Sequence, residues 1–122
     1  MPDQSMQSQA VVQRQMEAYN RRDLDAFCAC MAPDIETRLY ESGEILSSGI
    51  EQTRELYRRR FAENPQLQLT VQARLANDTV VIDREIISGF DGGATIEAIA
   101  IHELRDGLIW RSSFIRRQVE PR

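Results

Sequence analysis

The sequence predicts an α+β fold in which helices pack against one side of a long, curved antiparallel sheet. Residues 66–117 contain four runs rich in Val and Ile that are separated by three tight turns. The turn residues tolerate positive φ and are typical of β-hairpins: Asn77-Asp78, Asp91-Gly92-Gly93 and Asp106-Gly107. The half before residue 66 instead carries apolar residues at helical spacing. Helices on one face of such a sheet form an α+β layer, and a sheet that curls forms a cup.

The first helix is predicted from apolar residues that recur at helical spacing. Residues 1–8 are polar and are expected to form a flexible tail. A helix over residues 9–20 then buries Val12 and Tyr19 on one face, with Gln15 beside them. This helix is expected to supply one wall of the cup.

A short second helix and a first strand follow. Asp23 is a good N-cap for the helix, and Pro33 is expected to end it. The alternation of apolar and polar residues from Ile35 to Tyr40 predicts a strand. A turn or short hairpin around Gly43 comes after it.

The third helix has both a start signal and a stop signal. Ser48 and Glu51 have the spacing of a capping box. Tyr57 and Phe61 fall on the face that should point inward, and Asn64-Pro65 stops the helix.

The second half is a predicted meander of four strands. Their expected ranges are 67–76, 79–90, 94–105 and 108–117. They are longer than the usual five or six residues, so twisting and β-bulges are expected. The fold therefore occupies a single domain over residues 9–118, with a second tail at 119–122.

The second of these strands carries apolar residues on both faces. Val81 and Ile87 point to one side, whereas Val80, Ile82 and Ile86 point to the other. A sheet with one solvated face would alternate more cleanly, and the chain has too few helices to cover both sides. We therefore expect the outer face to pack against a second copy in a symmetric homodimer.

Composition excludes several other classes of protein. The net charge of −4 argues against nucleic-acid binding, and the arginines of the cluster 58–60 are expected to form salt bridges with nearby glutamates on a solvated helix face. Cys28 and Cys30 should point to different faces, which predicts structural thiols in a reducing cytoplasm and no disulfide. No apolar run approaches the length of a membrane span or a signal peptide.

The order of elements resembles the nuclear transport factor 2-like superfamily, and within it the ketosteroid isomerase-like and SnoaL-like polyketide cyclase group. The resemblance covers residues 10–117. The local matches are Val11-Val12-Gln13-Arg14, Asn20 with Asp23-Leu24-Asp25, Gly49, Tyr57, Asn77, and His102 before Asp106-Gly107. It implies a cone-shaped barrel, a curved antiparallel sheet wrapped around N-terminal helices, with an apolar cavity and often a dimer.

The catalytic residues of ketosteroid isomerase are not retained in this resemblance. That enzyme uses an Asp base and an oxyanion hole made of a Tyr and a protonated Asp. The Tyr position matches Gln15, the protonated Asp matches Ile101, and the base matches Leu39 or Tyr40. The resemblance therefore does not imply steroid isomerisation.

The family register and strand alternation together place a set of side chains in the cavity. Asp83 and Glu85 are the candidate catalytic residues. The candidate ligand-binding residues are Gln15, Tyr19, Tyr57, Phe61, Ile101, Glu103, Trp110, Ser112, Phe114 and Arg116. A slip of one residue would invert the contribution of any strand.

Two carboxylates that face one apolar pocket are suited to acid–base chemistry. Burial and the neighbouring negative charge would raise the pKa of one of them, which makes a general acid or base near neutral pH. The alternative is a structural ion pair, in which Arg116, Arg111 or Arg74 neutralises Asp83 and Glu85.

Other candidates are weaker. His102 is the single histidine, and alternation places it on the outer face, where it would pack in the dimer. Tyr57 is either a hydrogen-bond donor to a ligand or an aromatic core residue, and Tyr19 is expected in the core. No phosphate loop, metal-ligand cluster or nucleophile elbow is visible, so we expect no cofactor and no metal.

Two functions are compatible with these residues. The first is a pocket protein for a small apolar or aromatic ligand, acting as a cofactor-independent isomerase, cyclase or dehydratase. The alternative is a non-catalytic ligand-binding or dimerisation module. A cavity well below roughly 300 Å³, or an arginine bound to Asp83, would favour the module.

Overall fold

The computed structural model describes residues 4–119, with side chains from Met6 onward. Its three helices are α1 (Gln4–Arg21), α2 (Leu24–Cys28) and α3 (Ile50–Glu63). Its six strands are β1 (Met31–Leu39), β2 (Ile45–Ser48), β3 (Gln68–Ala76), β4 (Val80–Ser88), β5 (Thr95–Arg105) and β6 (Leu108–Val119). The sheet order is β2-β1-β6-β5-β4-β3, in which only the β1–β6 pair is parallel. The predicted α+β fold is confirmed, with β2 and β3 as the edges of a sheet that does not close within these residues.

The ends of the chain differ in part from the prediction. α1 begins at Gln4, so part of the segment expected to be a tail is helical. Val119, the first residue of the predicted second tail, instead ends β6. The remaining residues of the predicted tails, 1–3 and 120–122, lie outside the described residues. None of the described helices is long and apolar enough to cross a membrane.

β1 differs most from the prediction. It begins at Met31 rather than Ile35, and Pro33 lies inside it, whereas α2 already ends at Cys28. The pairing of β1 with β6 shifts between Met31 and Glu36. Proline has no N–H to donate to a β-ladder, so strands tolerate it where the pairing is irregular. Pro33 lies in such an irregular part of the pairing.

The two cysteines behave as structural thiols. Cys28 ends α2 and Cys30 precedes β1, and both are buried and free of any disulfide. Burial raises the pKa of each thiol, so neither is activated as a nucleophile.

An aromatic cluster joins the helices beneath the sheet. Tyr19 of α1, Phe27 of α2, and Tyr57 and Phe61 of α3 have ring centroids 4.5–6.4 Å apart. Each ring pair at this spacing contributes about 0.5–1.5 kcal/mol beyond burial of its area. This cluster fixes the three helices relative to one another and so forms a rigid floor under the concave face.

The inner face of β5 is the opposite of the one predicted. Ala98, Ala100 and His102 are buried, whereas Ile99 is 38% exposed. The reason is pairing: Asp83 lies directly opposite Ala100, and directly paired residues point to the same side of a sheet. The placement of Ile101 and Glu103 in the cavity was therefore wrong by one residue.

A bulge in β6 moves Trp110 out of the cavity. The pairing shifts between Glu103 opposite Arg111 and Leu104 opposite Ile109, which leaves Trp110 without a partner. Its ring instead lies under the guanidinium of Arg111 at 4.5 Å. The prediction that Trp110 lines the cavity was wrong because a bulge interrupts strand alternation.

Candidate functional site

A small cavity lies between the concave face of the sheet and the three helices, and its volume is about 40 Å³. Most of the side chains that line it are buried, whereas Met16, Arg60 and Arg116 are half-buried and therefore mark its solvent-facing rim. The apolar part of the wall includes Val12, Phe27, Met31, Leu69, Ile87 and Ala98. A cavity of this size holds about three water molecules.

Most of the predicted site residues meet in this cavity. The predicted residues that line it are Gln15, Tyr19, Tyr57, Asp83, Glu85, Ser112, Phe114 and Arg116. Phe61 is buried beneath it, with its ring centroid 5.3 Å from that of Tyr19. Ile101 and Glu103 lie on the other face of β5, where the carboxylate of Glu103 accepts hydrogen bonds of 2.6 and 3.1 Å from Arg111.

Asp83 is held by an arginine. Arg74 donates from Nε to Oδ1 at 2.6 Å and from Nη2 to Oδ2 at 2.9 Å. A third bond of 3.0 Å runs from Arg74 to Gln13 Oε1 on α1. Asp83 is only 1% exposed, so this bidentate pair joins β3, β4 and α1 and satisfies the carboxylate. The pair is the structural alternative expected from the sequence.

Glu85 has no such partner. Its side chain is 6% exposed, and none of the residues that the structure describes donates a hydrogen bond to it or forms an ion pair with it. Burial, and then the negative charge of Asp83, raise the pKa of Glu85 to about 8, although the charges of Arg116 and Arg74 act in the opposite direction. Glu85 is therefore mostly protonated at neutral pH and faces the cavity as a carboxyl group.

His102 lies in the cavity and not on the outer face, so its predicted place was wrong. It is 5% exposed, and its Nδ1 lies 2.7 Å from Ser112 Oγ on the neighbouring strand. Burial lowers the pKa of His102 to about 4, so the ring is a neutral imidazole. From the turn at Asp106-Gly107 alone, His102 would pair with Arg111. Only the bulge at Trp110 brings it opposite Ser112, so no sequence signal placed it.

Asp83, Glu85 and His102 form one cluster. Their ligand atoms all lie within 4.8 Å of one another, and these are the residues that could hold a divalent metal ion. However, both carboxylate oxygens of Asp83 already accept hydrogen bonds from Arg74. What the cluster offers to a ligand is thus a neutral carboxyl group beside a neutral imidazole.

Arg60 is another cavity residue that was not among the predicted site residues. The arginine cluster 58–60 was expected to form salt bridges on a solvated helix face. Two of its members do so, since Arg58 pairs with Glu55 at 2.6 Å and Arg59 with Glu63 at 3.9 Å. Arg60 instead turns inward, with its guanidinium 5.1 Å from the ring centroid of Tyr57. The signal was its spacing, because residues three apart on a helix share a face.

Comparisons with known proteins agree with this fold. The family model described as SnoaL-like domain matches residues 12–112. An uncharacterised cystatin-fold protein from Novosphingobium aromaticivorans is 24% identical, with a TM-score of 0.82 over 89% of this chain and 97% of that one. A candidate ketosteroid isomerase from Kribbella flavida is 21% identical, with a TM-score of 0.80 over 98% and 84% of the two chains.

A further solved structure belongs to the same group. A candidate SnoaL-like polyketide cyclase from Jannaschia is 17% identical, with a TM-score of 0.79 over 95% of this chain and 89% of that one. None of the curated protein sequences matches the chain. At these identities the solved structures establish the fold, and the chemistry has to be argued from the cavity itself.

Proposed function

The chain belongs to the SnoaL-like domain family, and on that premise we propose that its cavity binds a small apolar or aromatic ligand to which Glu85 transfers a proton. The observation that carries this proposal is a carboxyl group that is buried in the cavity without a hydrogen-bond partner among the described residues. Such a group costs stability, and buried groups with perturbed pKa values concentrate at functional sites.

The proposed chemistry is cofactor-independent isomerisation, cyclisation or dehydration. Because the pKa of Glu85 is about 8, its carboxyl can give up and regain a proton near neutral pH, as a general acid or base must. His102 and Ser112 lie beside it and are held by their mutual hydrogen bond. Their role is to orient a carbonyl or hydroxyl oxygen of the ligand toward Glu85.

The size of the cavity limits what can reach Glu85. Its volume of about 40 Å³ is below the roughly 300 Å³ of a drug-sized site. A metabolite of ordinary size therefore requires movement of the rim side chains Met16, Arg60 and Arg116. Methionine and arginine side chains are flexible enough for such movement.

A non-catalytic module is the second candidate, and two observations favour it. One is the small volume of the cavity, and the other is the pairing of Asp83 with Arg74. In a non-catalytic module, Asp83 has only a structural role, and the outer face of the sheet is the surface that binds a partner. A non-catalytic module does not explain why the buried carboxyl of Glu85 has no hydrogen-bond or ion-pair partner among the described residues.

Proton transfer can be tested before the natural substrate is known. In D2O, NMR would follow deuterium uptake at the α-carbon of a panel of small ketones and enones, with wild-type protein and with Glu85→Gln. We expect wild type to accelerate uptake by at least one compound, and Glu85→Gln to slow it by about 10²–10⁴-fold.

The matched control is Glu103→Gln, which makes the same change on the outer face of β5. It should retain the wild-type rate, because Glu103 is paired with Arg111 away from the cavity. Equal rates in wild type and Glu85→Gln would contradict the acid–base role. No uptake with any compound, from folded protein, would favour the module.

A further inference from the structure

Two arginine side chains face the cavity without a counter-ion. Arg60 and Arg116 both line it and are half-buried. Within the described part of the chain, no carboxylate lies within ion-pair distance of either guanidinium, whereas Arg74 and Arg111 are each paired at 2.6 Å. Arginines that are partly removed from water normally acquire such a partner.

Aromatic rings hold both guanidinium groups in place. Arg60 lies 5.1 Å from the centroid of Tyr57, and Arg116 lies 4.5 Å from the centroid of Phe114. These cation–π contacts position the groups, but the ring faces accept none of the conventional hydrogen bonds that a guanidinium fork forms with a planar oxyanion.

A third polar group, a phenol, lies at this end of the cavity. The side chain of Tyr19 is 3% exposed, and none of the described residues accepts a hydrogen bond from its buried hydroxyl. Burial raises the pKa of Tyr19, although the charge of Arg60 and a hydrogen bond from its guanidinium act to lower it. The phenol therefore stays protonated, and its proton remains available to a ligand. A ligand oxygen could accept the hydrogen bond that this proton does not make within the protein.

The charges around the cavity do not cancel. Asp83 is neutralised by Arg74, and Glu85 is mostly protonated at neutral pH. Burial lowers the pKa of Arg116, and the positive charge of Arg60 lowers it further. The rim therefore holds two uncompensated positive charges next to a phenol donor, above an apolar wall.

We propose that the ligand is an apolar or aromatic carboxylic acid, whose carboxylate is bound by Arg60 and Arg116 with a hydrogen bond from Tyr19. The planar carboxylate matches a guanidinium fork, and the apolar body matches Phe27 and Leu69 in the wall. This inference rests on the proposed function only in that both place the ligand in the same cavity.

Matched pairs of acids and amides test the proposal. The probes are benzoate, phenylacetate and cinnamate, each against its carboxamide, with inorganic phosphate as a separate anion. Affinity would be measured by NMR titration at pH 7 and constant ionic strength. In wild type we expect at least one acid to bind tenfold or more tightly than its amide, and phosphate to bind more weakly than that acid.

The variants Arg60→Gln and Arg116→Gln should each reduce this preference to less than threefold. Arg59→Gln is the control, because Arg59 lies on the same helix but is exposed and paired with Glu63; it should keep the wild-type preference. Should a glutamine variant fail to fold, Arg60→Lys and Arg116→Lys keep the charge but lose the planar fork, and they should retain part of the preference.

The outcomes separate this inference from the proposed function. Equal binding of acids and amides, or an acid preference that survives both glutamine variants, overturns the carboxylate site but leaves the cavity as a ligand site. Tighter binding of phosphate than of every acid also overturns it. Binding of none of the probes would contradict both proposals.

Discussion

The carboxyl of Glu85 should make the stability of the protein depend on pH. Its pKa is about 8 in the folded protein and about 4.3 in an unfolded chain. Between these values the folded state binds more protons than the unfolded state, so the free energy of unfolding falls as pH rises. The clearest window is pH 6.5–8, above the unfolded pKa of histidine.

The measurement is urea denaturation at several pH values across this window. Wild type should lose stability as pH rises, by up to about 1.4 kcal/mol for each pH unit, and Glu85→Gln should lose most of this slope. The same slope in both proteins would show that Glu85 is not buried as a carboxyl group.

His102 should give a slope of the opposite sign at lower pH. Its pKa is about 4 when folded and about 6.5 when unfolded, so the unfolded state binds more protons between these values. Stability that His102 contributes is therefore lost as pH falls from about 6.5 to 4. In the background of Glu85→Gln, the further change His102→Gln should flatten the denaturation profile in that range, and a profile as steep as before would place the ring in water.

The cluster of Asp83, Glu85 and His102 gives a prediction about metals. Because Arg74 occupies both oxygens of Asp83, we expect Zn²⁺ and Mn²⁺ to leave the melting temperature unchanged relative to EDTA. In Arg74→Gln, which frees the carboxylate, Zn²⁺ should raise it. Stabilisation of wild type by Zn²⁺ would contradict the prediction that no metal is used.

Strand alternation correctly placed the residues of β4 in the cavity and misplaced those of β5. Alternation alone puts Asp83 and Glu85 on one side of their strand. Alternation does not show which residues of β5 lie on the same side of the sheet as Asp83 and Glu85. An error of one residue in the register of β5 therefore placed Ile101 in the cavity instead of His102. Arg60 was missed because its neighbours at 58 and 59 are solvated, although its spacing from Tyr57 already placed it on the inward face of α3.

At the scale of elements, the turn after β4 depends on one glycine. Gly89 has a φ of +84°, and a Cβ there would lie 1.9 Å from the carbonyl oxygen of Gln66. Gly89→Ala should therefore cost about 1–2 kcal/mol for the left-handed conformation and a further 1–3 kcal/mol, on the order of an overpacked core, for the clash.

Gly92→Ala is the control for this substitution. Gly92 also has a positive φ, of +93°, but a Cβ there would meet nothing within 4 Å. Chemical denaturation should show a smaller loss for Gly92→Ala than for Gly89→Ala. Equal losses would mean that the contact with Gln66 relaxes without cost.

The elements themselves were largely predictable, because local signals define them. The meander was recognised from three turns of residues that accept positive φ. Each of these turns lies between two consecutive strands of the observed sheet. β1 was too short in the prediction because its first residues pair with β6, far along the chain. No local pattern reports such a pairing, and Pro33 argued against a strand at that point.

At the scale of the whole molecule, the outer face of the sheet supports the expectation of a homodimer. Ile82 is paired with Ile101, and Ile99 with Ile115, so apolar side chains form a continuous patch on the side away from the helices. Glu97 at its edge lies between Arg84 at 3.4 Å and Arg117 at 3.2 Å. A face with an apolar centre and charges of both signs around it suits a self-complementary interface.

Sedimentation would test this expectation. Wild type should have about twice the chain mass of 14.0 kDa, and Ile99→Glu should reduce it to the mass of one chain. The control Ile45→Glu changes an isoleucine that is 49% exposed on the edge strand β2, and it should leave the mass unchanged. A wild-type monomer at micromolar concentration would contradict the dimer.

The overall fold was predictable for the same reason as its elements, and the family comparison agrees with it. The arrangement of the candidate site was less predictable, because it depends on which few side chains meet in the cavity. Atomic distances across three strands and a helix decide whether Asp83 or Glu85 forms an ion pair with an arginine. A period-two pattern carries none of that information.

The parallel pairing of β1 with β6 has a consequence for synthesis of the protein on the ribosome. Thr37 can pair locally with Ser47, but its second ladder forms only when Ser112 is present. One edge of the hairpin of β1 and β2 therefore stays unpaired while nearly the whole meander is translated. Contacts between such distant parts of a chain slow folding, and strands that wait unpaired are exposed to aggregation. Binding of chaperones to the nascent chain should therefore persist until β6 has left the exit tunnel.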